Sequence, residues 1–230
     1  SIRCSLLRAP WPAGSSGSKR YRSFEAWCVI VGPECVVRAV ASTTGRQRLD
    51  NSRMPIFAVG DKVPRIHPSA FIAPTASIVG DVTIHEDASV WYGAVVRGDT
   101  SYAVIHRGAN VQDGAVVHGR AELPAIIEEE ASIAHNCVVH GAVIGKRALI
   151  GNGALVLDGA KVGAGSLIAA GSVVLGDTEI PPGVLAAGTP AVVKRQIAGT
   201  APEEWVTGNP GRYARLAVLH GEEIREMSRD

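Results

Sequence analysis

The sequence predicts a parallel β-helix, because an aliphatic residue recurs at nearly every sixth position from Ile78 to Val192. A period of six fits neither the 3.6-residue turn of an α-helix nor the two-residue alternation of a strand. Three six-residue units make one triangular rung, in which one aliphatic side chain per unit points inward. Each rung buries little surface alone, so stability comes from stacking rungs about 4.8 Å apart. The recurring residues are Ile78, Ile84, Val90, Val96, Ile105, Val111, Val117, Ile127, Ile133, Val139, Ile144, Ile150, Val156, Val162, Ile168, Val174 and Ile180.

The repeat is interrupted three times, always between residues 97 and 144. The steps over 96–105, 117–127 and 139–144 are nine, ten and five residues long. A solenoid accommodates insertions as loops at its corners, and such loops often gather on one binding face. Four of the seven histidines lie in this interrupted part, and three of them, His118, His135 and His140, are close in sequence, so a functional site is expected there.

Three regions are expected along the chain. Residues 1–53 lack the repeat and mix Arg, Ser, Gly and Ala without amphipathic order. This composition predicts a disordered N-terminal extension, with an organelle transit peptide as the alternative. Residues 54–198 are predicted to form the β-helix domain. Residues 199–230 are predicted to be a C-terminal helical segment, with a helix over 210–227 that shields apolar surface and a sheet edge.

Charge and cysteine content exclude some partners. The 230 residues carry a net charge of +1, divided into about +6 over 1–53 and about −5 over 54–230. The β-helix therefore has no basic surplus, and nucleic acid is not an expected partner. The repeat region has one cysteine, Cys137, which fits a reducing compartment and favours the cytoplasm, with organelle targeting as the minor alternative. No stretch approaches 18 uninterrupted apolar residues, so no membrane span is expected.

Counting three units per rung places Arg97, His118 and His140 in one column on the outside of the solenoid. Each directly follows an inward-pointing valine. His118 and His140 should therefore stack one rung apart and point the same way. That separation lets both imidazoles reach one ion at nitrogen–metal distances of about 2.0–2.1 Å.

His135 is predicted to lie on a different face, stacked on Asp113, and so not to meet His118 and His140 on a metal within one chain. In a symmetric trimer, one face of each subunit abuts a different face of the next. We therefore expect three equivalent sites, each with two ligands from one chain and one from its neighbour. Three protein ligands with an open fourth position suit a catalytic zinc. The competing interpretation, which we expect for the other four histidines, is solvated surface.

At these residues the sequence resembles the gamma-class carbonic anhydrases. The matching strings are VVRGD (95–99), NVQDGAVVH (110–118), IAHNCVVHG (133–141), IGNGALVLDGAKVG (150–163) and GTPA (188–191). These strings lie between residues 95 and 191, and the resemblance as a whole extends over about 66–195, nearly the whole predicted solenoid. RGD, NVQDG and the spaced histidines are quite specific, because ordinary hexapeptide acyltransferases share the repeat but do not normally carry all three.

The resemblance implies a left-handed β-helix, against the usual right-handed crossover preference, and a homotrimer. It implies Zn²⁺, or Fe²⁺, held by His118 and His140 of one subunit and His135 of the next. The implied reaction is the reversible hydration of carbon dioxide to bicarbonate by a metal-bound hydroxide at the trimer interface.

Four further residues match the family's functional positions. Arg97 and Asp99 of RGD match its interface ion pair, with Asp113 as the neighbour's partner. Gln112 matches the residue that helps orient the metal-bound water and bicarbonate. The competing interpretation is that the three charged residues only hold the trimer together, although losing one member of a buried pair would still disturb the metal site.

The sequence departs from the founding type of this family in its acids. The proton released by hydration needs a shuttle with a pKa near neutrality. Thr100 stands where the founding type carries a glutamate, and the loop after His118, GRAELPAI, offers Glu122 alone as a nearby shuttle. Metal binding is therefore better supported than turnover.

Three other functions remain open. The same metal site could hydrolyse an acyl thioester, which an apolar cleft beside the metal would favour. The protein could be a non-catalytic metal-binding or assembly subunit, as the short loop and missing acids suggest. A hexapeptide acyltransferase would use a histidine as general base without a metal, so a stoichiometric metal would argue against it.

Overall fold

The computed structural model describes residues 26–30, 35–39 and 55–227. The chain divides into two compact units, Ser1–Gln47 and Arg48–Asp230. In the first unit, β1 (Ala26–Ile30) and β2 (Cys35–Ala39) pair antiparallel. The rest of the segment predicted to be a disordered extension or transit peptide lies outside the described residues.

The second unit is a parallel β-solenoid of about seven turns followed by one helix, which confirms the predicted fold class. Its strands are short because a triangular rung turns a corner after each six-residue unit. In chain order the elements are β3 (Ile56–Phe57), β4 (Arg65–Ile66), β5 (Phe71–Ile72), β6 (Ser77–Ile84), β7 (Ser89–Val90), β8 (Val95–Ile105), β9 (Asn110–Val111), β10 (Val116–His118), β11 (Ala125–Ile127), β12 (Ser132–Ile133), β13 (Val138–His140), β14 (Val143–Ile144), β15 (Leu149–Ile150), β16 (Leu155–Val156), β17 (Lys161–Val162), β18 (Leu167–Ile168), β19 (Val173–Val174), β20 (Glu179–Ile180), β21 (Val184–Gly188), β22 (Ala191–Gln196) and α1 (Ala201–Glu223).

Two sheets supply the three faces of the solenoid. The twelve-stranded sheet supplies two faces, because β6 and β8 are long enough to pair with different strands at their two ends. The eight-stranded sheet, in the order β22-β21-β18-β15-β12-β9-β7-β5, supplies the third. Neighbouring strands in the ladder are parallel except at β21 and β22, which run antiparallel.

The core is the stack of inward-pointing aliphatic residues. Ile105, Ile127 and Ile144 form part of one column and are fully buried. Removing such a side chain from water contributes about 1.5–3 kcal/mol. The position two residues before an inward residue holds a buried alanine in many units, such as Ala131 before Ile133, where a corner of the triangle leaves room for a methyl group.

The three interruptions leave the register of the core intact. Val117 pairs with Val96 on one side and Val139 on the other, despite the extra residues between them. The extra residues of the second interruption form a tight turn closed by an antiparallel bridge between Arg120 and Leu123. The alignment of columns predicted from the count is therefore confirmed.

α1 begins nine residues before the predicted start and ends at Glu223. Pro210 is the first residue of the predicted helix, whereas in the structure Pro202 occupies the first turn and Pro210 lies inside the helix. A proline is favoured in the first turn because the N–H it lacks would have no partner there. Residues 201–209 show no helical spacing of apolar residues, so the sequence pattern indicated only the later part. Within the described residues, no helix combines the length and apolarity that crossing a membrane requires.

An aromatic cluster fixes α1 on the solenoid. The buried Trp91 packs against Phe71, Tyr213 and His220, with ring centroids 5.0–5.2 Å apart. The Tyr92 hydroxyl lies 2.8 Å from Nδ1 of His220. Tilted and edge-on aromatic contacts of this kind add about 0.5–1.5 kcal/mol each beyond their buried area. The cluster therefore sets which side of α1 faces the solenoid.

Candidate metal centre and the adjoining cavity

Arg97, His118 and His140 form one column across β8, β10 and β13. His118 is in register with Arg97 on one side and with His140 on the other. Each projects outward because the valine before it points into the core and side chains alternate along a strand. The two histidines therefore stack as the sequence predicted.

The two imidazoles approach each other closely. Nδ1 of His118 is 3.1 Å from Nε2 of His140, and the ring planes meet at 63° with centroids 5.0 Å apart. Two nitrogen ligands of a tetrahedral zinc, each about 2.0–2.1 Å from the ion, lie roughly 3.3–3.4 Å from one another. The spacing of the pair therefore suits two ligands of one ion.

A carboxylate holds the far side of each imidazole. Nε2 of His118 donates to Oδ1 of Asp99 at 2.8 Å, and Nδ1 of His140 donates to Oδ1 of Asp158 at 2.5 Å. Such a partner fixes the tautomer, so the two nitrogens that face each other carry lone pairs. Arg97 Nη2 lies 3.4 Å from Nδ1 of His118 and can donate to it, so a guanidinium in the same chain already offsets part of the repulsion between the two lone pairs. An ion held by the two nitrogens would offset it as well, and the donor set fits a metal ion.

Both carboxylates are kept ionised by their neighbours. Partial burial would raise the pKa of Asp99, but hydrogen bonds from His118 and Arg97 outweigh burial and lower that pKa to about 2. Burial opposes ionisation of Asp158 as well, and hydrogen bonds from its imidazole partner and from Arg120 lower its pKa below the ordinary value. Each carboxylate can therefore accept an imidazole N–H at neutral pH.

The glycine of the RGD string is required by backbone packing. A Cβ atom at Gly98 would lie 2.2 Å from the carbonyl oxygen of Asp81 on β6. The close approach leaves Arg97 and Asp99 on the same side of β8, where Arg97 Nη1 donates to Asp99. The backbone N–H of Thr100 also donates to Asp99, at 3.0 Å. Within one chain, Arg97 thus pairs with Asp99, and the predicted partnership with Asp113 of a neighbouring chain stays a prediction.

His135 lies on the eight-stranded face, after β12. The pairing of β12 with β9 stacks it on Asp113, as predicted, with His135 Nδ1 2.9 Å from Asp113 Oδ2. Its Nε2 lies 3.3 Å from the hydroxyl of Tyr213 on α1. In the described part of this single chain, no cluster of three or more His, Cys, Asp or Glu side chains could hold a metal ion.

Gln112 is held rigidly beside this face. It is 2% exposed, and its Nε2 donates to Oδ1 of Asn110 at 2.9 Å. Asn110 in turn donates to the hydroxyl of Ser132 at 2.9 Å. The buried chain of hydrogen bonds fixes the orientation of the Gln112 amide.

A cavity of about 490 Å³ lies between α1 and the eight-stranded face, and we call it the α1 cavity. It brings together a predicted metal ligand, a predicted orienting amide and residues of α1 in one space. Pockets of 300–1,000 Å³ are typical of small-molecule sites. Its wall includes Gln112, His135, Leu149, Trp205, Asn209 and Tyr213.

Three residues near the candidate site, Asp158, Tyr213 and Asn110, were not predicted as site residues from the sequence. Asp158 lies within the matching string at 150–163. The register of β13 with β16 aligns Leu157 with His140 and therefore places Asp158 one residue further along the next rung, so counting could have found it. Tyr213 was expected only as an apolar residue of the helix, and the docking of α1 decides its contact with His135. Asn110 begins the NVQDG string but carries no signal of its own. Glu122, the predicted shuttle, is exposed in the 120–123 turn, where its φ is 67°.

The chain is similar to proteins of two related kinds. Residues 141–176 match the family model described as bacterial transferase hexapeptide (six repeats). "Gamma carbonic anhydrase 1, mitochondrial" of Arabidopsis thaliana is 36% identical over 186 residues, which are 77% of this chain and 66% of that protein. The chain therefore spans a little under two thirds of the length of this relative. "Carbonic anhydrase" of Geobacillus kaustophilus is 42% identical over 142 residues, which are 62% of this chain and 78% of that protein.

A solved structure shows the same architecture. The hexapeptide transferase family protein from Anaplasma phagocytophilum superposes with a TM-score of 0.69 at 32% identity. The match covers 74% of this chain and 99% of that chain. Nearly the whole of that solved chain therefore matches about three quarters of this one.

Proposed function

Since the chain belongs to the gamma-class carbonic anhydrase family of hexapeptide-repeat proteins, we propose that it is a metal-dependent carbonic anhydrase. It interconverts carbon dioxide and bicarbonate at sites shared between the subunits of a homotrimer. One observation carries the proposal: Nδ1 of His118 and Nε2 of His140 lie 3.1 Å apart, and a carboxylate pairs with the other nitrogen of each ring. That arrangement suits two ligands of one cation.

The third ligand in this proposal comes from the neighbouring subunit. His135 lies on a different face from His118 and His140 and directs Nε2 away from Asp113. In a cyclic trimer the two faces meet three times, which gives three equivalent sites. Zn²⁺ and Fe²⁺ both accept imidazole ligands, and the donor set suits either.

The bound ion supplies Lewis-acid chemistry and lowers the pKa of a water molecule to about 7. The chain's own groups position everything around it. Asp99, Asp158 and Asp113 accept an N–H from His118, His140 and His135, respectively, which leaves the opposite nitrogen of each ring without a proton. The contact of the Tyr213 hydroxyl with Nε2 of His135 would have to be given up for this histidine to bind the ion. Gln112, fixed by Asn110, has a second amide hydrogen and an amide oxygen with which to orient an oxygen of the substrate.

Proton release is the step for which the chain is least equipped. We propose that Glu122, exposed in the turn after His118, passes the proton to solvent. Because Thr100 replaces a second acid, proton transfer should limit turnover. A small imidazole buffer should then accelerate hydration, whereas a shuttle-rich enzyme would respond little.

For location, we propose the cytoplasm, on the cysteine usage of the repeat region. The alternative is an organelle, which the mitochondrial name of the plant relative supports. Import of a fluorescent fusion carrying residues 1–53 would decide between them.

Hydrolysis of an acyl thioester is the second candidate function. The α1 cavity, at about 490 Å³, is far larger than carbon dioxide needs, and Leu149 and Trp205 give it apolar wall. The transferase name of the solved structure keeps acyl transfer as a third candidate. A stoichiometric metal that is required for activity would argue against acyl transfer.

Stopped-flow hydration of carbon dioxide tests the proposal directly. We expect metal-dependent turnover in zinc-loaded or anaerobically iron-loaded protein, and its loss in His118→Ala. Full metal occupancy without hydration in either sample would contradict the anhydrase and leave thioester hydrolysis, to be assayed with a short acyl-CoA. Mixing inactive His118→Ala and His135→Ala subunits should restore activity, because some interfaces then regain all three ligands. No recovery after verified subunit exchange would contradict the shared site.

A further inference from the structure

The turn of the second interruption carries an arginine to the carboxylate behind His140. Arg120 Nη1 donates to Oδ2 of Asp158 at 2.9 Å, and Oδ1 of the same carboxylate accepts from Nδ1 of His140 at 2.5 Å. Gly141 leaves room for this arrangement, because a Cβ atom there would lie 2.6 Å from Oδ1 of Asp158. The two oxygens are thus divided between a guanidinium and an imidazole, so the carboxylate is held from both sides.

Backbone and side-chain hydrogen bonds hold the turn that presents Arg120. The N–H groups of Arg120 and Leu123 each donate to the carbonyl of the other residue, at 3.0 and 2.9 Å. The hydroxyl of Thr100 donates to the carbonyl of Gly119 at 2.9 Å and so ties the turn to the loop of the first interruption. The guanidinium therefore extends from a backbone whose position is defined by these bonds.

The other imidazole of the pair is supported in the same order: arginine, carboxylate, imidazole. Arg97 Nη1 donates to Asp99, whose Oδ1 accepts from Nε2 of His118 at 2.8 Å. Arg97 belongs to the column itself, whereas Arg120 comes from the inserted turn. The recurrence of this order at both candidate ligands indicates that Arg120 supports the metal centre.

We propose that Arg120 is a positioning residue for the metal centre, because it holds Asp158 in the orientation that directs Nε2 of His140 toward the ion. The inference rests on the metal site of the proposed function, and it gives the inserted turn a part in metal affinity. A guanidinium near a metal cation repels it, so loss of the charge alone would tighten metal binding. Loss of positioning would weaken metal binding, and the sign of the change therefore separates the two effects.

Arg120→Gln tests the inference, because it removes the charge and keeps a polar side chain. We expect the affinity for Zn²⁺, measured by competition with a chelator, to fall about three- to tenfold, less than after direct loss of the Asp158 carboxylate. Arg120→Lys keeps the charge and a donor and should recover part of the affinity. Arg65→Gln is the matched control: Arg65 pairs with Asp81 at 2.8 Å with comparable exposure of both side chains, and neither hydrogen-bonds to an imidazole, so the affinity should not change.

Combining Arg120→Gln with Asp158→Asn shows whether the arginine acts through this carboxylate. If it does, Arg120→Gln should cause no further loss of affinity once Asp158→Asn is present. A further loss of the same size would overturn the inference, as would unchanged or tighter zinc binding in Arg120→Gln alone. In these cases the wild type still binds zinc, and the proposed function is unaffected. A wild type that binds no zinc would instead overturn the proposed metal site, and this inference with it.

Discussion

The solenoid has an interrupted half and a regular half, and the three candidate metal ligands all lie in the interrupted half. From Ile144 to Ile180, residues one rung apart are separated by 18 positions, as in the pairing of Ile150 with Ile168. Between Val96 and Val139 the same step is 21 or 22 positions. The inward residues align in both halves, so the added residues loop out at the corners without disturbing the core.

The two halves differ in the outward residues of the column that contains His118 and His140. In the interrupted half its outward residues are Arg97, His118 and His140. In the regular half, one and two rungs further on, the equivalent positions hold Leu157 and Leu175. The backbone offers the same outward position throughout, and the residues placed beside the loops turn it into a site.

Removing one imidazole should have the largest effect. His118→Ala is expected to lose the metal and with it the hydration of carbon dioxide, because two nitrogens no longer converge. Leu157→Ala, in the same column, should keep full metal content. Metal analysis of the purified proteins, together with stopped-flow hydration, measures both. Equal metal content in the two variants would contradict the assignment of the metal site to the interrupted half.

Truncating a core side chain should lower the free energy of unfolding by the same amount in both halves if the loops leave the packing of the core undisturbed. Ile133→Ala and Ile150→Ala each empty a fully buried position, and each should lower the free energy of unfolding by about 2–5 kcal/mol. Denaturant unfolding of the metal-free variants, followed by circular dichroism, compares them. A much smaller loss for Ile133→Ala would mean that the interrupted rungs are packed loosely.

Loss of a carboxylate that orients a metal-binding imidazole should weaken metal binding without abolishing it. Asp158→Asn is expected to weaken metal binding about 10–100-fold, because its partner imidazole is no longer held as the Nδ1–H tautomer. Asp177→Asn is a suitable control, since Asp177 lies one rung further on and asparagine tolerates its φ of 56°. Competition with a metal chelator measures both affinities. An unchanged affinity in Asp158→Asn would remove this carboxylate from the site.

The pH dependence of stability should show the smallest effect. The pKa of Asp99 is lowered from its ordinary value of 3.8 to about 2. Its ionised form therefore adds stability above pH 4, and this contribution disappears as the pH falls through 2. The difference in unfolding free energy between the wild type and Asp99→Asn should shrink over that range. Glu179→Gln, from an exposed ion pair with Lys161 in the regular half, should show little change there.

The six-residue period is enough to predict the solenoid and the alignment of its columns, because one residue per unit must point inward. The period alone predicts that His118 stacks on His140 and that His135 stacks on Asp113 in neighbouring rungs. It could not give the start of α1, where Pro202 and Pro210 compete for the first turn. Nor could it give the contact of Tyr213 with His135, because nothing periodic relates a helix to the face on which it docks. A ligand pair follows from local counting, whereas a cavity wall depends on tertiary packing.

The reversed strand at the end of the solenoid has a consequence for the whole particle. Every parallel rung offers its open edge as a template for another, so a solenoid that ended on such a rung could add further chains, as fibrils do. β22 turns back antiparallel on β21 and becomes the last strand of the eight-stranded sheet. The exposed Lys194 and Arg195 lie on this strand, and charged side chains on an edge strand oppose pairing with another chain. The end of the eight-stranded face is therefore protected against the growth that its parallel rungs favour.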